Sequence, residues 1–266
     1  MITKYALRFT ALGYLTMLLL VPVAMIAWKA FENGWAPFWA SVTDPDFLTA
    51  LKLTLEIALI AVPLNTVLGV ITAMALVRSR LRGKVVLQTI IDLPFAISPV
   101  VIGLALVLVY GRNGWFGGWF ADHGIQIIFS VPGIVLATIF VSLPFVAREV
   151  TPVLREIGDE QEQAAATLGA GAWTTFRRIT LPSIRWGVAY GVVLSVARCI
   201  GEFGAVSVVS GKISGETETL TLLVEKRFAN FDLAGAYAAS ALLALIALGT
   251  LLAMTAIKPR REEGDA

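Results

Sequence analysis

The chain has 266 residues and a formal net charge of +2; 57% of its residues are hydrophobic, 15% are charged, and the mean hydropathy is +0.79. This is too little charge to cover the surface of a soluble domain, and the apolar residues form long runs instead of alternating faces. The composition therefore excludes an ordinary soluble globular domain and indicates a protein whose solvent is the bilayer.

Six apolar runs follow one another along the chain, each with at least the ~20 residues that a spanning helix needs at about 1.5 Å per residue. They cover residues 9–28, 53–77, 85–110, 125–147, 186–210 and 233–257. No small-residue cleavage site clearly follows the first run, so we expect it to be retained as a span rather than removed as a signal peptide. The runs predict an all-α polytopic membrane protein with about six transmembrane helices.

The basic residues between the runs are distributed unevenly. With the N-terminus inside, fourteen of the 21 lysines and arginines fall in the inside segments 1–8, 78–84, 148–185 and 258–266. Cytoplasmic loops carry an excess of basic residues because the translocation of these residues is disfavoured. Both termini are therefore expected to be cytoplasmic.

The residues that several chemistries need are missing. The single cysteine, Cys199, allows neither a disulfide within the chain nor a thiolate metal cluster, and the single histidine, His123, falls in an outside loop away from other ligands. The Gly-Lys pairs at 83–84 and 211–212 are not followed by Ser or Thr, so the chain has no P-loop for ATP. No basic, aromatic-interleaved surface suggests nucleic acid. A transporter, a channel or a scaffold remains, and we expect no catalytic residue, metal or bound cofactor.

The third run contains the stretch DLPFAISPVVIGL, residues 92–104, with Pro94, Pro99 and Gly103. Each proline removes a backbone donor and opens the helix, which lipid tolerates only where neighbours or water satisfy the freed carbonyl. The stretch predicts either a kinked packing helix or a helix that flexes or lines a pathway.

The fifth run holds two ionisable residues, Arg198 and Glu202, at membrane depth. An unpaired charge there costs at least ~2.5 kcal/mol, and residues four apart on one helical face can form a pair. One interpretation is a neutralised structural pair that orients the helix. The other is the gate of an anion pathway, formed by Arg198, Glu202, Phe203 and Gly204, in which Arg198 supplies positive potential.

The inside segment 148–185 is the longest cytoplasmic connection. Asp159 with Glu162 three residues later forms a capping-box pattern, which predicts the start of a helix. We expect a smooth face of small side chains after it, a sharp turn at Gly171, and a second helical stretch that stops at Pro182. The residues of the smooth face are Ala164, Ala165, Leu168 and Gly169.

A short helix–turn–helix outside the membrane suits insertion into a groove on another protein. Small side chains allow close approach, and Arg177 and Arg178 could reach acidic groups at the rim of such a groove. The alternative is an amphipathic loop that packs under its own bundle.

The spacing of this segment resembles a known loop. Gln163-Ala164-Ala165, three residues, Gly169, nine residues and Ile179-Thr180-Leu181-Pro182 match the EAA loop of type I ABC importer permeases, EAA–x3–G–x9–I–x–LP. Gln163 stands where the family has Glu; it keeps the size and hydrogen bonding but lacks the charge, and Glu162 is adjacent. The resemblance implies that residues of about 158–182 form the coupling helix, which sits in a cleft of a cytoplasmic ATPase. The coupling residues it implies are Glu162, Gln163, Ala164, Ala165, Gly169, Arg177, Arg178, Ile179, Leu181 and Pro182.

A wider resemblance extends over residues 44–257. Stretches such as LPFAISPVV, GWFGGWF, TLPSIRWGVAYGVV and GEFGAVSVVSGKISGETETL are similar to the W-type permease subunit of sulfate/thiosulfate importers. Thr221 departs from a proline common in that family. The resemblance implies a permease domain at 51–257, after an N-terminal segment 1–50 and before a cytoplasmic tail 258–266. It also implies a bacterial inner-membrane location, among membrane lipid.

The same resemblance implies the partners. They are a homologous T-type permease that completes a heterodimer, two ATPase subunits that bind ATP and Mg²⁺, and a periplasmic sulfate/thiosulfate-binding protein. A molybdate/tungstate permease is the nearest rival, since its fifth span carries a motif like GEFGA and it usually works as a homodimer. An ATP-independent anion channel or carrier is the rival from another class, and it would leave the EAA-like loop without a role; a scaffold without transport fits this loop least well.

Overall fold

The computed structural model describes residues 2–80 and 82–257, and within these ranges the backbone is helical with no β-strand. Two five-residue π-helical turns, Thr16–Leu20 and Phe176–Thr180, continue directly into neighbouring helices. The α-helices of the described ranges, in chain order, are α1 Ile2–Leu15, α2 Val21–Phe31, α3 Trp35–Val42, α4 Pro45–Val77, α5 Lys84–Ala96, α6 Pro99–Tyr110, α7 Gly117–Asp122, α8 Val131–Glu156, α9 Glu160–Thr167, α10 Ala172–Thr175, α11 Leu181–Ile200, α12 Val206–Val209, α13 Leu220–Ala229 and α14 Leu233–Ile257.

The helices long and apolar enough to cross a membrane confirm the predicted all-α polytopic fold. Five are unbroken in the described residues, and the bent pair α5–α6 supplies a sixth if its halves count as one span. The unbroken spans are Leu12–Phe31, Pro45–Val77, Val131–Glu156, Ala172–Ile200 and Leu233–Thr255. The first of them packs against α14 and is otherwise almost wholly exposed in the single chain. The predicted tail 258–266 lies outside the described residues.

The centre of the bundle is the close packing of α8 between α4 and α11. A Cβ added at Gly69 of α4 would lie 2.6 Å from Cβ of Val146, and one added at Gly191 of α11 would lie 2.8 Å from Cα of Val146. Small residues at such crossings let the backbones approach closely. In lipid, where no hydrophobic driving force acts between helices, this close packing is what makes helices associate. Asn65 of α4 also donates to Ser142 of α8 at 2.7 Å. The three helices therefore form a tightly interlocked core.

The third predicted run is a pair of helices separated by a break and not a single kinked helix. α5 and α6 meet at an angle of 112°. Ile97 and Ser98 between them are extended, with ψ of 137° and 135°, because the residue before Pro99 is driven out of the helical region. Gly103 then lets α6 lie against α12, since a Cβ there would be 2.8 Å from the carbonyl oxygen of Ala205.

The fourth and fifth runs differ from their predicted limits. Residues 125–130 form a loop, and α8 begins only at Val131, with Pro132 in its first turn, where a missing N–H costs nothing. The fifth run does not continue as one helix to residue 210, because α11 ends at Ile200 and the separate helix α12 follows. Hydropathy alone could not separate these short reversals from the spans beside them.

Candidate functional site

The inside segment forms the expected helix–turn–helix, but a different glycine makes the turn. α9 ends at Thr167, Gly169 has a φ of +81°, and helical backbone resumes at Ala172. Gly171 has a φ of −71°, so the expectation that it makes the sharp turn is wrong. A left-handed backbone carries little cost only for glycine, which explains the residue at position 169.

The outer face of this segment is free within the single chain. Gln163 and Ala164 are exposed, Leu168 is 88% exposed and Trp173 is 71% exposed. Ala165 instead is buried against the chain's own residues, so the predicted smooth face is divided between an inner and an outer side. Exposed large apolar side chains beside small ones are typical of a surface that another protein covers.

Glu162 points into the protein and bonds with two distant elements. Its Oε2 accepts from Nε of Arg78 at 2.8 Å, and its Oε1 accepts from Oγ1 of Thr180 at 2.8 Å. The predicted capping box is therefore wrong: Asp159 makes no side-chain capping bond, and Glu162 is engaged elsewhere. Two charge-assisted bonds to tertiary partners outcompete one local bond to an exposed helix end.

The predicted stop at Pro182 is also wrong, because helical backbone runs without a break from Ala172 to Ile200. The π-helical turn before the proline widens the helix, and N–H of Leu181 donates to the carbonyl of Phe176, five residues back. Pro182 follows this turn, and its missing N–H interrupts the bond pattern of the helix without ending the helix.

Arg177 and Arg178 lie on the exposed side of the π-helical turn, while Ile179 is half-buried and Leu181 is 37% exposed. Neither arginine forms an ion pair with any described residue of the chain. Both guanidinium groups are available to acidic groups outside the chain.

The predicted Arg198–Glu202 pair is present, but Glu202 is not on the helix. α11 ends at Ile200 with Gly201 as its C-cap, and Glu202 follows in the reversal. Nη1 of Arg198 lies 2.6 Å from Oε2 of Glu202, as an ion pair without a directed hydrogen bond to that oxygen. The Glu202 side chain is 2% exposed and the Arg198 side chain 29% exposed, so the carboxylate depends on the pair more than the guanidinium does.

The reversal after Gly201 is held by Glu202. Its Oε1 accepts from N–H of Ala205 at 2.8 Å, and its backbone carbonyl accepts from Oγ1 of Thr221 at 2.8 Å. Phe203 is 40% exposed beside it, and a Cβ at Gly204 would lie 2.9 Å from Cβ of Pro99 at the start of α6. The four residues of the predicted gate thus join the end of α11 to the break between α5 and α6.

The loop 211–219, between α12 and α13, is held by bonds within it and at its end. N–H of Ile213 donates to Oγ1 of Thr217 at 3.1 Å, and N–H of Leu220 donates to the buried Oγ1 of Thr54 in α4 at 2.9 Å. Glu218, whose side chain is 2% exposed, pairs with Nζ of Lys226 at 3.2 Å. These bonds connect the loop to α4 and α13 and define its conformation.

The two residues that bond with the Glu162 side chain were not predicted as site residues from the sequence. Arg78 is the C-cap residue of α4, and Thr180 is the N-cap residue of α11. The available signal was the dense basic segment 78–84, which indicated orientation but not a partner. Among the described residues, no group of three His, Cys, Asp or Glu side chains could hold a metal ion.

A family model matches most of the chain. Residues 65–263 match the "Binding-protein-dependent transport system inner membrane component". The chain belongs to this family. The predicted permease family is thereby confirmed, and this transport component is a multi-pass membrane protein and not an enzyme.

Relatives of this transport component cover nearly its full length. It is 53% identical over 257 residues to the "Sulfate transport system permease protein CysW" of Synechocystis sp., covering 97% of this chain and 93% of the relative. It is 50% identical over 248 residues to the protein of that name in Escherichia coli (strain K12), covering 93% and 85%. The "Sulfate transport system permease protein CysT" of the same organism is 38% identical, covering 93% and 88%.

Solved transporters share the fold of this transport component. A chain of the bacterial alginate ABC transporter, in complex with its alginate pentasaccharide-bound periplasmic protein, superposes with a TM-score of 0.80 at 19% identity. The match covers 97% of this chain and 94% of that one. It supports the permease architecture and carries no information on substrate.

Proposed function

We propose that the chain is a transmembrane permease subunit of an ATP-driven sulfate/thiosulfate importer and forms half of the translocation pathway in a bacterial inner membrane. The assignment of sulfate as the substrate rests on the identity of 50–53%, over almost the whole chain, to proteins named as sulfate transport permeases. The basic inside segments support cytoplasmic termini.

The proposed coupling site is the exposed side of α9 and the turn after it. Gln163, Ala164 and Leu168 would enter a groove of a cytoplasmic ATPase, with Arg177 and Arg178 at its rim. ATP and Mg²⁺ bind to that partner, because this chain has no P-loop. Gln163 contributes hydrogen bonds there and no charge.

The proposed assembly contains this chain, a homologous T-type permease, two ATPase subunits and a periplasmic binding protein. Similarity to both a CysW and a CysT protein supports a heterodimer of related permeases. The binding protein would deliver a tetrahedral oxyanion to the outer loops, including residues 211–232, where hydrogen bonds hold the loop 211–219 in place.

The proposed mechanism is alternating access. Closure of the ATPase dimer moves α9, tilts the spans and exposes the central cavity to each side in turn. Arg198 would contribute positive potential at the gate, since its side chain keeps partial exposure while its partner Glu202 is buried.

The test is uptake of radiolabelled sulfate by cells that lack their own sulfate permeases and receive this chain with its candidate partners. The assay is repeated with excess unlabelled thiosulfate or molybdate, and with an ATPase that cannot hydrolyse ATP. Uptake that needs the live ATPase and is inhibited by thiosulfate is the expected result.

Two other outcomes would contradict the proposal. If an assembled complex takes up molybdate and not sulfate, the chain belongs to a molybdate/tungstate permease, and only the assignment of the substrate is wrong. Sulfate uptake that continues without the ATPase would identify an autonomous channel or carrier instead.

A further inference from the structure

The backbone alone does not fix the direction of α9. The helix has only eight residues, and a glycine with positive φ lies on each side of it: Gly158 at +64° and Gly169 at +81°. Glycines with this freedom allow the chain to change direction at both ends. Any force applied to the outer face of α9 would rotate the helix unless side chains tie it to the bundle.

A single guanidinium provides that tie. Arg78, at the end of α4, donates from Nε to Glu162 of α9 at 2.8 Å and from Nη1 to the carbonyl of Leu154 at 3.1 Å. Its Nη2 donates to the carbonyl of Gly158, just beyond α8. The planar fork of arginine can satisfy several acceptors in fixed directions, and carbonyls in the last turn of a helix have no partner within that helix.

Glu162 also connects α9 to the start of α11 by a hydrogen bond. Its second oxygen accepts from Thr180, which is 2% exposed and lies just before α11. The Arg78 and Glu162 side chains are 17% and 20% exposed, so solvent screens their interaction less than it screens a surface pair. We call the set Arg78, Glu162 and Thr180 the clamp; it joins α9 to the ends of α4, α8 and α11.

The three helices held by the clamp pack closely at Val146. Val146 of α8 lies against Gly69 and Gly191 at distances that exclude even a methyl group. Closely packed cores of this kind shift between discrete arrangements and do not deform continuously. A helix tied to such a core moves with it.

We propose that the clamp makes α9 one rigid body with the α4–α8–α11 core, so that Arg78 and Glu162 are positioning residues that transmit ATPase motion to the spans. This inference rests on the proposed function. It assigns to Glu162 an internal role in place of a contact with the ATPase, and it leaves Gln163 and Leu168 as the outward-facing residues.

The test compares Glu162→Gln with Glu156→Gln, which removes one exposed carboxylate at the end of α8, outside the proposed coupling site. Each variant is reconstituted in proteoliposomes as the full complex with its ATPase, companion permease and binding protein. Three quantities are measured: ATPase retained on purification, ATP hydrolysis, and sulfate transported per ATP hydrolysed. Thr180→Val, which keeps the Arg78–Glu162 pair, completes the set.

For Glu162→Gln we expect retained ATPase and hydrolysis, with sulfate transported per ATP reduced about tenfold, the scale of a change in coupling between sites. Glu156→Gln should match the unmodified chain, and Thr180→Val should lose less than Glu162→Gln. A merely structural role would reduce assembly and hydrolysis together and leave the ratio unchanged.

An unchanged ratio in an assembled Glu162→Gln complex, or a Glu156→Gln complex with the same defect, would overturn the clamp. If the unmodified chain neither retains the ATPase nor transports sulfate, the proposed function fails instead. The two failures are therefore distinguishable in one set of preparations.

Discussion

Gly191 of α11 packs directly on Val146 of α8: a Cβ at position 191 would lie 2.8 Å from Cα of Val146. The obstacle is backbone, which cannot turn aside as the end of a flexible side chain can. Gly191→Ala should therefore separate α8 from α11 and cost about 1–3 kcal/mol, as overpacking of a close-packed interior does.

Thermal unfolding of the purified chain in detergent measures that cost. Gly249→Ala is the matched control, because Gly249 lies on α14 with no other atom within 4 Å of an added Cβ. The midpoint should fall for Gly191→Ala and stay unchanged or rise for Gly249→Ala. Equal midpoints for the two variants would contradict the packing at Val146.

Cys199 offers an internal measure of folding. It is the only cysteine, is 5% exposed, and lies in a cluster with Ile200, Ala58 and Ala61. In the folded chain it should react with a maleimide far more slowly than after denaturation in detergent, because the reagent must reach a buried thiol. Mass spectrometry of the two samples provides the comparison. Rapid labelling of the folded chain would mean that α11 does not pack as described.

The Arg198–Glu202 pair leads to a comparison of single and double variants. Arg198→Gln leaves the carboxylate of Glu202 buried without its cation, which should cost near the lower end of the about 3–5 kcal/mol typical of such a loss, because Arg198 keeps some exposure. Arg198→Gln/Glu202→Gln removes both charges and keeps an oxygen that can accept from N–H of Ala205. The double variant should therefore be the more stable of the two.

Uptake then separates a gate from a structural pair. A double variant that assembles, protects Cys199 and yet loses sulfate uptake would support positive potential at the gate. If Arg198→Gln assembles and takes up sulfate normally, neither the gate hypothesis nor the structural-pair hypothesis holds.

The spans could be predicted from the sequence because the bilayer fixes their length and demands apolar side chains. Their ends could not. Pro99 and Pro132 both lie within apolar runs yet mark helix starts, and Pro182, expected to stop a helix, lies in the first turn of one. A proline disfavours the helical region before it and fits a first turn after it, and neighbouring residues decide which effect matters.

The exposed residues of the proposed coupling site could be named from the spacing of the sequence, whereas the internal bonds of Glu162 could not. Gln163, Ala164 and Gly169 could be recognised because their local order matches a known loop. Arg78 and Glu162 are 84 residues apart, and Thr180 is 18 residues beyond Glu162. The local capping box was the only partner for Glu162 that a single sequence could suggest, and a tertiary contact replaced it.

Gly169 combines a backbone requirement with an exposed position, and the two can be separated. Its φ is +81°, and apart from its neighbours in sequence no atom of the described residues lies within 4 Å of an added Cβ. Asn tolerates this conformation better than other non-glycine residues, so Gly169→Asn adds a small side chain at limited strain, whereas Gly169→Trp adds bulk on the side proposed to face the ATPase.

We expect Gly169→Trp to reduce ATPase copurification and sulfate uptake about tenfold or more, the loss expected for one central interface position. Membrane insertion and the protection of Cys199 should persist, since the altered side chain contacts nothing in the bundle, and Gly169→Asn should lose much less. If Gly169→Trp transports at the normal rate, the exposed side of α9 and its turn is not where the ATPase binds.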